Sequence, residues 1–360
     1  MNHIARRRLE NQHLVSPTLT EAADVVRALG AVQSQDYAGA QWAIAQRSKG
    51  LTETDVERGI ASGAILRTHV LRPTWHFVLP EDIRWMLELT APRIRGAMAY
   101  YDRQLGLDAN VFRKSNAVFE RVLRDGQQLT RVELSAVLRR AGVDVSAGQR
   151  VGNLLLRAEL DRVIISGARR GKQFTYALFD ERVPAAPPRD RDTALDDLTR
   201  RYFATRGPAT VQDFAWWSGL TVADAKRGVE IAAAFVKCEL RDGGPYWHVP
   251  SKRAFPRAAR VAHLLPNYDE LFVGFKDRAA FAERLRRVRA NHRVDALMGH
   301  ILLVNGQIVG GWRRTRGKTV EVELRLLVPL TAPERDLARR AAERFGEFLG
   351  TPVRVRIRRA

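Results

Sequence analysis

Two glutamines separated by one residue, with an aspartate directly after them, have a spacing that could serve chemistry. They are Gln33, Gln35 and Asp36. An amide neither takes up nor releases a proton near neutral pH, so neither glutamine can be a general acid or base. The amide oxygens can instead hold a water against a reacting atom. Asp36 has two open interpretations, as the N-cap of a helix that begins near Tyr37 or as a catalytic or electrostatic group.

Four further residues are candidates for a functional site, and each has a structural alternative. His76 lies on a predicted strand and is either a core histidine or part of a site wall. Asp269 and Glu270 could form an acid–base pair, but neighbours on a strand point to opposite faces. Ion pairs with arginines are therefore the better interpretation of these two carboxylates. Trp312 could stack on a base or pack beneath its own hairpin.

The composition bounds the cofactors and the compartment. The histidines show no HExxH or similar ligand spacing, and the single Cys238 permits neither a disulfide nor a cysteine zinc cluster. We therefore expect no metal and no cofactor. One cysteine, no run of about 18 apolar residues and no secretory signal predict a cytoplasmic, nucleoid-associated protein that does not enter a membrane.

The charge is the most informative property of the composition. The chain has 60 Lys and Arg against 40 Asp and Glu, a net charge of +20. Of the basic residues, 52 are arginine, which forms bidentate contacts with phosphate and guanine. A GC-rich genome would explain arginine over lysine, but not the excess of positive charge. Nucleic acid is the favoured partner, with an anionic membrane surface or an acidic protein as alternatives.

The middle of the chain, residues 113–185, has the element order of a winged helix-turn-helix, three helices and then a two-stranded wing. Thr130 and Glu133 have the spacing of a capping box for the second helix. A third helix is predicted from about Ala147 to Leu160. The turn of the wing is basic, and its predicted DNA-binding residues are Arg169, Arg170 and Lys172.

The same element order is predicted on both sides of this unit. After a proline-rich linker, residues 190–255 repeat the three helices and the hairpin, and residues 1–112 form a first unit with a helical connector. Residues 256–360 read as a β-rich region with one helix at about 333–349. Its basic hairpin could probe a groove of DNA or be a solvated turn. The residues predicted to bind DNA there are Trp312, Arg313, Arg314, Arg316 and Lys318. We predict an α+β, mostly helical fold with three tandem winged helix-turn-helix units.

Several motifs together resemble one known family. They are QSQ at 33–35, THVLRPTWHFV at 68–78, LLPNYDELFVGFKDR at 264–278 and GGWRR at 310–314. With the three predicted winged-helix units, they make nearly the whole chain similar to the AlkZ-like winged-helix DNA glycosylases. The resemblance implies a C-shaped, concave basic surface around duplex DNA. It also implies excision of bulky or crosslinking adducts at N7 of guanine, often as self-resistance to DNA-alkylating antibiotics.

The resemblance also implies a catalytic pair. One branch of the family carries a Gln-x-Gln motif, which Gln33 and Gln35 match, and a broader branch carries Gln-x-Asp. Alkylation at N7 makes guanine a cation and a good leaving group, so two water-holding amides would suffice for a monofunctional glycosylase. Asp36 and His76 are accessory candidates.

The expected partner is double-stranded DNA that contains alkylated guanine, bound by a monomer, because three modules in one chain already span a duplex. The alternative function is a non-enzymatic winged-helix regulator or architectural protein. Tandem wings and a high positive charge would fit that function as well.

Overall fold

The structure is a computed structural model that describes residues 2–241, 244–250, 260–287, 300–316 and 319–359. The side chains of residues 287 and 316 also lie outside the description. Two predicted DNA contacts, Lys318 and the side chain of Arg316, therefore fall outside the described part of the chain. Within the described ranges, no helix is both long enough and apolar enough to cross a membrane.

Helices and strands are interspersed along the described chain. The helices are α1 (His3–Asn11), α2 (Ala22–Leu29), α3 (Tyr37–Ala45), α4 (Glu53–Ala61), α5 (Pro80–Gln104), α6 (Ala109–Val122), α7 (Arg131–Arg140), α8 (Gly148–Leu160), α9 (Phe179–Arg182), α10 (Arg191–Arg206), α11 (Val211–Ser218), α12 (Val222–Ile231), α13 (Glu270–Val273), α14 (Glu283–Arg287) and α15 (Ala332–Leu349). The strands are β1 (Val32–Gln33), β2 (Leu66–His69), β3 (Trp75–Val78), β4 (Leu129–Thr130), β5 (Ile164–Ser166), β6 (Thr175–Leu178), β7 (Lys237–Arg241), β8 (Gly244–His248), β9 (Ala262–Leu265), β10 (Ile301–Val304), β11 (Gln307–Arg316), β12 (Val320–Leu326) and β13 (Val353–Arg359). This content confirms the predicted α+β class.

Contacts divide the chain into two compact units. One consists of residues 1–57, 196–217 and 222–360, and the other of residues 58–195 and 218–221. The segment predicted as the first winged-helix unit contributes residues to both. The boundaries of the three winged-helix units stay predictions.

The second of these units contains the segment whose element order is clearest from the sequence. Helix α6 is followed by β4, then by helices α7 and α8, and then by β5 and β6; the three strands form a sheet with the order β4-β6-β5. Thr130 and Glu133 form the predicted capping box, in which the backbone N–H of Thr130 donates to Glu133 Oε2 at 2.7 Å. Phe119, Leu134 and Leu154 are fully buried in the core between the helices. The three helices and the last two strands match the predicted order, whereas β4 was not predicted; the winged-helix interpretation itself remains a prediction.

The first unit contains the β-rich C-terminal region. Its sheet has the order β13-β12-β11-β10-β9, antiparallel except for the parallel pair β12 and β13. Helix α15 packs on one face, where Phe345 is fully buried. A capping box of Thr331 and Glu334 begins this helix, close to its predicted start. The strands of the hairpin predicted within residues 190–255 are present as the antiparallel pair β7 and β8, and residues 242 and 243 lie outside the described residues.

Candidate active site

Only the first residue of the glutamine motif lies on a strand. Gln33 is the last residue of β1 and is only 6% exposed, and Ser34 is fully buried. Gln35 is exposed, because the chain turns after Ser34 toward the start of α3. The motif therefore anchors its first glutamine in the interior and presents its second to solvent.

A buried carboxylate fixes the backbone of the motif. The N–H of Gln33 donates to Glu270 Oε1 at 2.8 Å. The other oxygen of Glu270 accepts from Arg206 Nη2 at 2.5 Å and from Trp217 Nε1 at 3.0 Å. The side chains of Glu270 and Arg206 are both fully buried. Since the carboxylate is bonded on both oxygens, it holds Gln33 in one position.

Asp269 and Glu270 lie on a helical turn, so their prediction as strand residues is wrong. Asp269 is the N-cap of α13 and accepts from the N–H of Leu271 at 2.8 Å. The chain enters this turn after Pro266 through Tyr268, whose φ is +60°. The predicted ion pairs are confirmed, because Asp269 contacts Arg47 at 2.7 Å and both side chains are buried.

Asp36 caps α3, which confirms one of its two interpretations. Its Oδ1 accepts from the N–H of Gly39 at 3.1 Å. A Cβ at position 39 would lie 2.6 Å from Asp36 Oδ2 and 3.0 Å from the Cβ of Pro266, so this close approach requires glycine. The carboxylate is also favoured there by the helix dipole.

His300 is a neighbour of the motif that the sequence did not suggest. Burial is the largest cause that lowers the pKa of His300; Arg314 lowers it further and the charge of Asp36 opposes both. The lowered pKa leaves the imidazole neutral near pH 7. Its ring packs at right angles on Trp312 with centroids 4.8 Å apart. No local signal could have identified His300, because only tertiary packing brings it near Asp36.

Two predicted site residues are core residues. Trp312 is 5% exposed, donates to the carbonyl of Leu265 at 2.8 Å and packs on Phe345. Its buried ring corrects the prediction of a DNA contact in favour of packing beneath the hairpin. His76 lies in the other unit, fully buried, with Nδ1 2.9 Å from the carbonyl of Thr74. Among the described residues, no three His, Cys, Asp or Glu side chains form a group that could hold a metal.

The predicted basic contacts differ in how strongly they are held. In the wing, Arg170 donates to Glu133 at 2.7 Å and to the carbonyl of Gln128 at 2.8 Å. Arg169 lies 5.4 Å from the ring centre of Phe174, and Lys172 is exposed. In the C-terminal hairpin, Arg313 is 61% exposed, and Arg314 lies 5.4 Å from the ring centre of Phe345.

Comparison with known proteins identifies the family. The family model described as "DNA glycosylase AlkZ-like" matches residues 26–348. The chain belongs to the AlkZ-like DNA glycosylase family. AlkZ-like proteins are DNA glycosylases, so the chain is an enzyme that hydrolyses N-glycosidic bonds and its macromolecular partner is DNA. This result confirms the predicted enzyme class over the alternative of a non-enzymatic regulator.

A curated sequence and a solved structure that the chain matches are both from Streptomyces sahachiroi. An "Interstrand DNA cross-link repair glycosylase" is 25% identical over 323 residues, 85% of each chain. The solved structure of "Streptomyces sahachiroi DNA glycosylase AlkZ" matches with a TM-score of 0.80 at 22% identity. The match covers 99% of this chain and 98% of that one, which establishes a shared fold.

Proposed function

We propose that this glycosylase excises guanine alkylated at N7 from double-stranded DNA, with Gln33 and Gln35 positioning the attacking water. One observation carries the proposal: the carboxylates around the motif in the described chain are committed to other contacts. Asp36 caps α3, and Asp269 and Glu270 form buried ion pairs with arginines. The exposed polar group that the motif offers to a substrate is then the amide of Gln35.

Amides restrict the chemistry to a base that is ready to leave. Glycoside hydrolysis commonly uses one carboxyl group as an acid and another to activate water or stabilise the positive sugar. An N7-alkylated guanine carries a positive charge and leaves without being protonated. The bond between C1′ and N9 breaks with its electron pair passing to the base, which becomes neutral, and water adds to C1′ and releases one proton to solvent. The protein then has mainly to orient that water.

The surroundings favour hydrolysis without a covalent enzyme intermediate. A Schiff base requires a lysine amine at the motif. The nearest lysine in sequence, Lys49, follows the C-terminal end of α3, a helix of nine residues. Helix α3, about 13 Å long at about 1.5 Å per residue, separates Lys49 from Asp36 along the chain. We infer a monofunctional reaction that leaves an abasic site for base excision repair, and the separation of Lys49 from the motif along the chain supports it.

Larger substrates are part of the proposal. The name of the curated relative specifies interstrand crosslinks, and a crosslink joined through N7 of guanine leaves the same cationic base. A base that is tied to the opposite strand cannot enter a tight pocket, so excision would proceed without full flipping. The exposed Lys172 and Arg313 would position the duplex through phosphates. Self-resistance to a DNA-alkylating antibiotic is the biological setting that suits such a substrate.

A cleavage assay tests both the substrate and the site. The purified protein is incubated with a duplex that contains one N7-methylguanine, and alkali then breaks the strand at abasic sites. We expect cleavage at the lesion. Replacing Gln33 and Gln35 with Ala should lower the single-turnover rate by about 100-fold or more, with little change in DNA binding. Gln127→Ala, at an exposed glutamine outside the motif, is the matched control.

The outcomes separate the two parts of the proposal. If N7-methylguanine and an N7-linked crosslink stay intact while a neutral lesion such as uracil is excised, the substrate assignment is wrong. If the double variant excises N7-methylguanine at the wild-type rate, the assignment of the glutamines is wrong.

A further inference from the structure

One face of the C-terminal sheet carries arginines on three neighbouring strands. Along β13, exposed arginines alternate with half-buried aliphatic residues. Their partners on β12 are Glu321, Glu323 and Arg325, and those residues lie opposite Thr315, Arg313 and Gly311 on β11. Directly paired residues share a face of a sheet. We call this surface the arginine face; its members are Arg313, Arg325, Arg354, Arg356 and Arg358.

Two carboxylates form ion pairs with the arginine face but do not neutralise its positive charge. Glu323, only 7% exposed, lies 3.0 Å from Arg313, 3.4 Å from Arg325 and 3.5 Å from Arg358. Glu321 contacts Arg356 at 3.0 Å. The hydrogen bond from Arg313 is the largest influence that holds the pKa of Glu323 below its ordinary value. Five guanidinium groups over two carboxylates leave a local excess of three positive charges.

The guanidinium groups remain accessible although Glu323 beneath them is buried. The exposed side-chain fractions are 61% for Arg313, 64% for Arg325, 45% for Arg356 and 58% for Arg358. Each guanidinium has five N–H donors, so one contact with a glutamate leaves most of them for a ligand. The surface is therefore a set of oriented donors that faces solvent.

Protection of a sheet edge does not explain this arrangement. Charged side chains on an edge strand discourage pairing with another chain, and β13 is an edge strand. Arg313 and Arg325 belong to the inner strands β11 and β12, which are already paired on both sides. An arginine there has no edge to protect.

The basic character continues past the end of β13. A cleft of about 270 Å³ lies between this strand and α15. Its charged lining consists of arginines, namely Arg335, Arg339, Arg358 and Arg359. Since Arg358 belongs to both the cleft and the arginine face, an anionic chain could follow one surface into the other.

We propose that the arginine face binds the sugar–phosphate backbone of double-stranded DNA, as a sequence-independent contact separate from the glutamine motif. Alternate residues of a strand are about 6.6 Å apart, so Arg354, Arg356 and Arg358 can reach separate phosphates. The guanidinium group pairs with a phosphate through two parallel hydrogen bonds. The inference rests on DNA as the partner and is independent of the identity of the excised base.

The salt dependence of binding tests this proposal. Arg354, Arg356 and Arg358 are changed together to Gln, and affinity for an undamaged duplex is measured by fluorescence anisotropy over a series of salt concentrations. Each lost phosphate contact lowers the slope of log affinity against log salt by about 0.9. We expect the slope to fall by about 2 to 3 in the triple Gln variant and to be restored when the same three residues are Lys. Thermal unfolding verifies that the variants are folded.

A matched control removes the same charge elsewhere. Arg103, Arg121 and Arg124 are exposed residues of the other unit, and changing them to Gln should leave the slope near the wild-type value. An equal fall in this control would mean that only net charge matters and would overturn the proposal. So would an unchanged slope in the β13 variant, or a variant that loses binding to phosphatidylserine vesicles while its DNA binding is intact.

Excision of N7-methylguanine by excess enzyme is measured in parallel. A normal rate with an unchanged slope would reject the arginine face and leave the proposed function standing. A reduced slope in the β13 variant, together with no excision by the wild-type protein, would support the arginine face and reject the proposed function.

Discussion

Glu270 links the folding of the chain to the position of Gln33. Its two oxygens bind a backbone N–H, an indole and a guanidinium, all in the interior. A buried ion pair adds little net stability over an apolar pair of equal shape, but removal of one partner leaves an uncompensated charge. The value of Glu270 is therefore the geometry that it imposes on Gln33.

We predict that Glu270→Gln lowers the free energy of unfolding by about 3 to 5 kcal/mol, because Arg206 stays buried without a counter-charge. Urea denaturation measures this loss. Asp336→Asn is the control, since it breaks an ion pair with Arg340 whose side chains are 66% and 55% exposed. That change should cost less than about 1 kcal/mol. Equal losses of unfolding free energy in the two variants would show that burial of the Glu270 ion pair makes its removal no more costly than that of an exposed pair.

Helix α3 determines where the motif ends. Asp36 caps its first turn, and Trp42 donates to the carbonyl of Leu264 at 2.7 Å. The ring of Trp42 also packs on Phe345, with centroids 5.1 Å apart. A helix of nine residues is too short to be stable alone. These contacts with the C-terminal sheet and α15 hold α3 in place, and with it the exposed Gln35.

Substitutions at Asp36 separate its role as a cap from a role in chemistry. Asn caps a helix as well as Asp does, whereas Ala costs about 1 kcal/mol of stability. We predict that Asp36→Asn retains the stability and the excision rate of the wild type, and that Asp36→Ala mainly loses stability. Urea denaturation and single-turnover excision measure the two properties. A rate for Asp36→Asn as low as that of the glutamine variants would assign Asp36 to catalysis.

The stability of the whole molecule should depend on pH through a buried histidine. His263 lies on β9, within the sheet that packs on α15, and is 4% exposed. Burial, and then the charges of Arg344 and Arg47, lower its pKa to about 3. In the unfolded chain the imidazole of His263 becomes protonated near pH 6.5, whereas in the folded protein it stays neutral at that pH. The contribution of the neutral His263 to the free energy of unfolding is fully present above pH 6.5. It is lost as the pH falls toward 3, by up to about 1.4 kcal/mol per pH unit.

We predict that the free energy of unfolding falls less between pH 7 and pH 5 in His263→Gln than in the wild type. Urea denaturation at the two pH values gives this difference, and the interval from pH 7 to pH 8 is the internal control, where both proteins should change alike. Identical losses below pH 7 would contradict a neutral buried imidazole.

The sequence alone determined the features that depend on neighbours along the chain. The capping box of Thr130 and Glu133 was predicted, and the helical cap at Asp36 was one of two interpretations, because a cap is made within about three residues. The three helices of residues 113–185 and the strands β5 and β6 followed from local periodicity in the same way, whereas β4 was not predicted. The glutamine pair was found by type and spacing, and its catalytic role remains a proposal.

Tertiary structure decided what depends on burial and on distant partners. The pattern around Asp269 suggested a strand, but these residues cap and begin a helical turn whose carboxylates are matched by Arg47 and Arg206. The alternation of β13 was visible in the sequence, yet its parallel register with Glu323 was not. Contacts between residues far apart in the chain depend on which surfaces pack together in the core. Local periodicity predicts helices and strands but does not predict that packing.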